Sequence, residues 1–399
     1  MAHKPTTLKV SFPEGVAAIE ASAWDALVSA DDPFAEHGFL AALERSGSVG
    51  RGTGWLPRFV LVEDDKGPVG AAPTYLKRHS YGEFVFDWAW AAGAQRAGLR
   101  YYPKLVVAIP FTPVTGHRLL VRPDADAHIV RTALVEGLAR VADETGASSV
   151  HVLFCPAEEA RFLENAGYTP RLGMQFHWEN RAPAPYRDFE DFVGAFRSRN
   201  RKQVRRERAI AAGHGLRLET KDGPDLSDAE WEALQGFYLA NADKHGSECY
   251  LTPAFFQEIR ANFAHRVVAS VAYKGEVLVA GTLNFERGRH LYGRYWGCSQ
   301  EWDMLHFELC YYQLIERAVR RGHARFEAGA QGEHKLKRGL DAAPTHSAHL
   351  IRHSGLGAAI AQFCAAEAEA MAEQIRQYQS LSPYTRTSHR ESGQTSPID

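Results

Sequence analysis

One order of segments occurs twice in this chain and constrains its fold more than any other feature. Lys66-Gly67 precedes a strand-like run and then Arg78-His79-Ser80-Tyr81-Gly82, while Lys274-Gly275 precedes a similar run and then Arg289-His290-Leu291-Tyr292-Gly293. Both copies read K-G, strand, R-H-x-Y-G, and each is followed later by a helical pattern and another apolar strand. A tandem duplication explains the shared order better than coincidence. Two α/β halves also suit a length of 399 residues, which exceeds what one hydrophobic core usually organises.

Hydrophobic periodicity fills in the halves. The first should hold helices at 16–30 and 39–46, a strand at 58–63, a hairpin into 69–77, and an alternating segment at 80–90. In that segment Phe84, Phe86, Trp88 and Trp90 share one face, expected to be core, and Glu83, Val85 and Asp87 the other. An apolar run at 105–109, helices at 128–144 and 156–165, and strands at 150–154 and 174–178 complete it. The glycines of 46–54 read as a surface turn, because no helix opens behind them to hold a phosphate. After a linker at 181–185, the second half should hold helices at 228–244 and 253–263 and strands at 267–273, 277–286 and 289–298. One helix at 305–321, with an inward apolar stripe of Phe307, Cys310, Leu314 and Ala318 together with Tyr311, Ile315 and Val319, strands at 325–331 and 345–351, and a helix at 356–379 follow. The expected domains are 1–182 and 183–354, then a C-terminal helix at 355–380 and a disordered tail at 381–399.

Chemistry concentrates where the 325–331 strand ends. Gly332 lets the chain turn, and Glu333, His334, Lys335, Lys337 and Arg338 follow directly. A carboxylate, an imidazole and three cations can build a site there; a solvated charged loop is the competing reading. If the start of the 305–321 helix faces this strand end, His306 and Glu308 share the cleft, although Glu308 can equally serve only to offset the helix dipole. A second concentration is the run from Arg197 to Arg208, with seven cations against the single Glu207. As a helix it places Arg201, Arg205 and Arg208 on one face, read as a grip for the phosphates of a nucleotide, a nucleotide-sugar or tRNA in preference to a solvated face.

Composition narrows the classes. A net charge of −2 argues against a general nucleic-acid or membrane-surface binder while leaving room for a local basic patch. The five cysteines show neither C-x-x-C pairing nor metal-ligand spacing, so they read as reduced core residues and no metal site is expected. No signal-peptide core or bilayer-length apolar run is present, and the cytoplasm is the expected compartment.

Four motifs together, H-S-Y-G-E-F-V-F-D-W at 79–88, P-F-T-P-V-T-G at 110–116, L-H-F-E-L-C-Y-Y-Q at 305–313 and G-A-Q-G-E-H-K at 329–335, carry a family resemblance. Over residues 35–380 the chain resembles bacterial N-acyltransferases related to the Fem peptidoglycan aminoacyltransferases, a branch of the GNAT superfamily. The resemblance implies an α/β fold of tandem GNAT-like domains with mixed central sheets flanked by helices. It also implies transfer of an acyl or aminoacyl group to an amine, in cell-wall or amino-acid-derived metabolism. No resident cofactor is implied; acyl-CoA or aminoacyl-tRNA would be the co-substrate. Arg352-His353-Ser354-Gly355-Leu356-Gly357 fits the letters of the GNAT pyrophosphate loop, but no strands follow to complete the unit.

Amide formation needs a base for the amine proton, a donor for the oxyanion, and surfaces that hold both substrates. The expected catalytic set is Glu333 or His334 as base, aided by Glu308, with Lys335 and Arg338 on the oxyanion or phosphate and His306 and Tyr292 as further proton carriers. Glu83, Asp87, Tyr292, Arg294, Trp296, Tyr312, Gln331, Arg338, Arg201 and Arg205 are the expected substrate-binding residues. The rival reading is a non-catalytic tandem protein that binds a nucleotide-linked or cell-wall ligand.

Overall fold

Valine-rich runs bounded by glycine turns supply the strands, and the computed structural model describes them within residues 8–244, 249–329 and 332–385. Two compact units emerge: Met1–Met174 with Tyr250–Ile259 and Pro344–Glu373, and Gln175–Cys249 with Arg260–Ala343 and Gln374–Asp399. Each unit draws on separated segments of the chain, where contiguous domains were expected.

In the first unit the strand Ser149–Cys155 is buried at all seven positions, as a strand covered on both faces must be. It pairs antiparallel with residues 346–351 and parallel with Lys104–Val107; Thr74–Lys77 and Trp55–Pro57 extend the sheet. A second sheet orders Lys9–Ser11, Val60–Asp64, Gly67–Ala72 and Leu120–Val121. The helix Ala127–Thr145 starts where Asp126 caps the N–H groups of His128 and Ile129 and ends at Gly146, φ 62°. Its face of Val130, Leu134, Leu138 and Val141 shares one core with Val60, Val62 and Leu105.

The second unit is built on an antiparallel run of Arg217–Asp222, Val267–Lys274, Val277–Arg287 and His290–Cys298. Arg325–Glu327 then joins parallel to His290–Cys298 and antiparallel to residues 177–179. The expected helix at 305–321 is interrupted: an α turn, Leu305–Phe307, gives way to a widened π turn, Glu308–Tyr312, before the α-helix Gln313–Arg321. Leu314, Ile315, Ala318 and Val319 are buried, as the apolar stripe required.

Several expectations fail locally. The segment 80–90 is a loop followed by the helix Trp88–Arg96, and Phe86 and Trp88 are exposed instead of core. Asp87 sits at the helix start, so the alternation of aromatics there reflects a turn instead of a pleat. Residues 16–30 form only short turns, Val16–Ala18 and Ala21–Asp25. The two K-G pairs both sit at hairpin turns, but R-H-x-Y-G is loop at 78–82 and mostly strand at 289–293. Part of the expected disordered tail is placed: Tyr384 is buried, and its hydroxyl donates to Gly339 O at 2.8 Å. Residues 386–399 lie outside the described residues.

Candidate active site

The strand Arg325–Glu327 leads to Gly329, φ 82°, and Gly332, φ 118°. A Cβ on Gly332 would lie 2.5 Å from the His334 ring, so only glycine lets the chain fold back into the 3₁₀ helix Glu333–Arg338. With three residues per turn, Lys335 and Arg338 eclipse on the inner side and are buried, while Glu333 and His334 are exposed.

The two buried cations are held differently. Arg338 Nε and Nη2 grip Glu207 at 3.0 and 2.9 Å, Nη1 donates to His334 O at 2.7 Å, and the guanidinium lies 3.4 Å over the Phe307 ring. Tyr312 also donates to Glu207, at 2.5 Å. Lys335 is 2% exposed, and its Nζ donates to one backbone oxygen, Gly329 O, at 2.8 Å. Among the described residues no carboxylate pairs with it. Burial therefore brings its ammonium down to about 8.

Around Lys335 stand groups from the helix start. Tyr311 Oη and His334 Nε2 are 2.9 Å apart. Burial pushes the Tyr311 phenol up, while burial, then Arg338 and Lys335, pull the His334 imidazole down. The phenol accordingly donates and the imidazole accepts. His306 packs its ring against Trp296, Tyr311 and His334 at 5.1, 5.7 and 6.4 Å between centroids. Burial and those neighbouring cations lower it to about 4. Beyond His306 opens a pocket of about 1000 Å³ lined by Arg294, Trp296, Trp302 and Met304 among others. Met304 holds φ 59° directly before the helix, a left-handed conformation uncommon for its residue type.

Of the expected residues, His306, His334, Lys335 and Arg338 thus converge, Arg294 and Trp296 line the adjoining pocket, and Tyr312 joins through Glu207. Others go elsewhere. Glu333 is turned out to the Tyr378 hydroxyl. Glu308 is buried against Arg208 at 3.0 Å and Gln313 at 2.7 Å, so its carboxylate is already engaged. Tyr292 is buried, 3.2 Å from His290 Nδ1. Gln331 lies outside the described residues. On the helix Ser198–Ala212 the face expected to hold phosphate has protein partners: Arg201 reaches the Gly194 and Phe196 carbonyls, Arg208 reaches Glu308 and Glu316, and Arg205, itself exposed, pairs with exposed Glu190 at the surface. A further exposed stripe, Arg199, Lys202 and Arg206 at i, i+3 and i+7, makes no ion pair among the described residues. Tyr311 and Glu207 are additions; Tyr311 read as an apolar-stripe residue, and Glu207 was conspicuous only as the lone acid in a basic run. No metal-ligand cluster occurs among the described residues.

Glu83 and Asp87 belong to the first unit, where they close a buried charge network. Lys104, fully buried, donates to Ser80 at 2.9 Å, Glu83 at 2.8 Å and Asp87, and Tyr101 donates to Asp87 at 2.6 Å. Burial works against the Lys104 ammonium, but Glu83 and Asp87 outweigh it and raise its pKa. Burial lifts Glu83 to about 7.

A family model for peptidoglycan biosynthesis and recognition matches residues 15–386 of this sequence. The chain belongs to the FemAB-like family. No curated protein matches it by sequence. Among solved structures, FemX aligns with 84% of this FemAB-like chain and 97% of its own, at 12% identity and TM-score 0.53. L-PGS from Bacillus licheniformis aligns over 81% and 94% of the two chains, at 11% identity and TM-score 0.48. A tandem GNAT protein from the clavulanic acid biosynthesis pathway aligns over 86% and 98%, at 11% identity and TM-score 0.41. At such identities the likeness to FemX speaks for fold alone. The α/β fold class expected for the FemAB-like chain, two units with mixed sheet and flanking helices, is the one found. No helix among the described residues is long and apolar enough to cross a membrane.

Proposed function

We propose that this FemAB-like protein is an N-acyltransferase that moves an acyl or aminoacyl group to an amine, with Lys335, His334 and Tyr311 at the reaction centre. The observation that carries the reading is Lys335: a buried ammonium with one hydrogen-bond partner among the described residues, close to a phenol–imidazole pair that packs on His306, a residue of the pocket lining. Two of its N–H groups are left to meet a developing oxyanion in a site shielded from water, where such a donor is worth most. In the reaction the amine nitrogen bonds to the carbonyl carbon and the bond to the leaving thiolate or ribose oxygen breaks. The Tyr311–His334 pair takes the amine proton, the phenol passing its own to the neutral imidazole, and returns a proton to the leaving group. Arg338, clamped by Glu207, positions His334 through its carbonyl.

Two observations favour aminoacyl-tRNA over acyl-CoA as donor. Arg352, which the pyrophosphate loop would need, is spent on Asp143 and the Ala142 and Ala147 carbonyls. The Arg199, Lys202 and Arg206 stripe offers an unpaired cationic face to a phosphodiester backbone. The amine acceptor would enter the pocket lined by Arg294 and Trp296. The test is product detection by mass spectrometry with acyl-CoAs and aminoacyl-tRNAs against a panel of amine acceptors, in wild type, Lys335→Met and Tyr311→Phe. Turnover in the wild type that collapses in Lys335→Met is the expected result; full turnover in that variant would overturn the assignment.

A further inference from the structure

The first unit displays three aromatic side chains that its own core could have used: Tyr81, Phe86 and Trp88 are 46%, 54% and 41% exposed. Their display is built in. Beneath the loop, Lys77 and the Trp55 indole both donate to Tyr81 O, at 2.8 and 3.2 Å, and Arg171 donates to Phe86 O at 2.9 Å. Lys104 ties down Ser80, Glu83 and Asp87 in the same loop. The backbone is pinned while the rings point outward, Tyr81 resting edge-on against Trp88 at 4.9 Å. A surface ordered in advance loses little freedom when it is covered.

Within residues 78–100 the charge that faces solvent has one sign, and the nearby Glu367 is engaged by Arg171. Between residues 78 and 100 the only acids are Glu83 and Asp87, both buried in the Lys104 network. The cations Arg78, Arg96 and Arg100 are all exposed and make no ion pair among the described residues. Tyrosine, tryptophan and phenylalanine flanked by arginine are the side chains that settle at a bilayer's headgroup level, rings at the interface and cations on anionic lipid.

We propose that this loop and the helix Trp88–Arg96 form a docking surface for an anionic phospholipid bilayer, holding the protein peripherally at a membrane. The surface is independent of the Lys335 centre, so either assignment can fail alone. The test is vesicle flotation of the full chain with phosphatidylcholine alone and with about one quarter phosphatidylglycerol. Wild type should float with the anionic vesicles and stay behind with neutral ones. The triple variant Arg78→Gln, Arg96→Gln, Arg100→Gln should bind about a hundredfold more weakly, about fivefold per arginine. Tyr81→Ser, Phe86→Ser, Trp88→Ser should lose about tenfold or more with an unchanged melting temperature, since the rings are exposed. Equal flotation of all three proteins, or no flotation of wild type, overturns the proposal. So would tighter binding to a soluble oligosaccharide or to heparin than to anionic vesicles.

Discussion

Lys104 in the first unit and Lys335 in the second are both shut away from water, in opposite company. Lys104 meets two carboxylates and a hydroxyl, and its partners more than offset the cost of burying a charge. Lys335 meets one carbonyl, and its ammonium is driven down to about 8. A matched buried charge is a structural part; an unmatched one is a standing cost that a fold without a use for it would shed. That contrast separates architecture from chemistry here better than the charge density of either sequence segment does.

The comparison breaks most visibly in stability. Lys104→Met strands Glu83 and Asp87, and urea denaturation should show a loss of about 3–5 kcal/mol. Lys335→Met strands no charge, only the half-buried Gly329 carbonyl. With a folded pKa of about 8 against an ordinary 10.5, Lys335 contributes stability fully present above 10.5 and lost as pH falls through about 8. At pH 7 its removal should leave the protein as stable or more so, by up to on the order of 3 kcal/mol. On a verified substrate the same variant should lose about 10²–10³ in kcat. Equal destabilisation by the two substitutions would erase the distinction.

How much of this was open to the sequence depends on how local the cause is. The tandem α/β organisation and the hairpins at Lys66-Gly67 and Lys274-Gly275 follow from apolar periodicity and turn residues, and they are present. The convergence of His306 with His334 and Lys335 was legible because a helix start and a strand end meet there. The partners of each charge were not. Spacing on the basic helix identifies a face of Arg201, Arg205 and Arg208 but does not say that Glu190, Glu308 and Glu316 stand ready to pair with it. The π turn at Glu308–Tyr312 leaves no mark in the 3.6-residue pattern, so Tyr311 was read as packing. The aromatics of 80–90 imitated a strand because a turn and a helix start can share its alternation.

Smaller effects sharpen the picture inside the second unit. Tyr311→Phe removes the phenol from the relay and should cost about a hundredfold in kcat without moving the melting temperature much. The pH profile of wild-type turnover should rise as His334 loses its proton, below its ordinary 6.5, and fall again near 8 as Lys335 loses its own. Lys335→Arg should remove that second limb. On the basic helix, Arg199→Gln, Lys202→Gln, Arg206→Gln should raise KM for a tRNA-linked donor several-fold and flatten its salt dependence. Arg208→Gln, by contrast, leaves buried Glu308 short of its partner and should act on stability instead of KM.

The most direct measurement is the titration of Lys335 itself, by heteronuclear NMR of the lysine side-chain Cε–Hε signals, assigned by comparison with Lys335→Arg. A midpoint near 8 for Lys335, with Lys104 still protonated above pH 10, is the predicted result. A Lys335 midpoint near the ordinary 10.5 would mean that its charge is compensated after all, and the case for a reaction centre there would be lost.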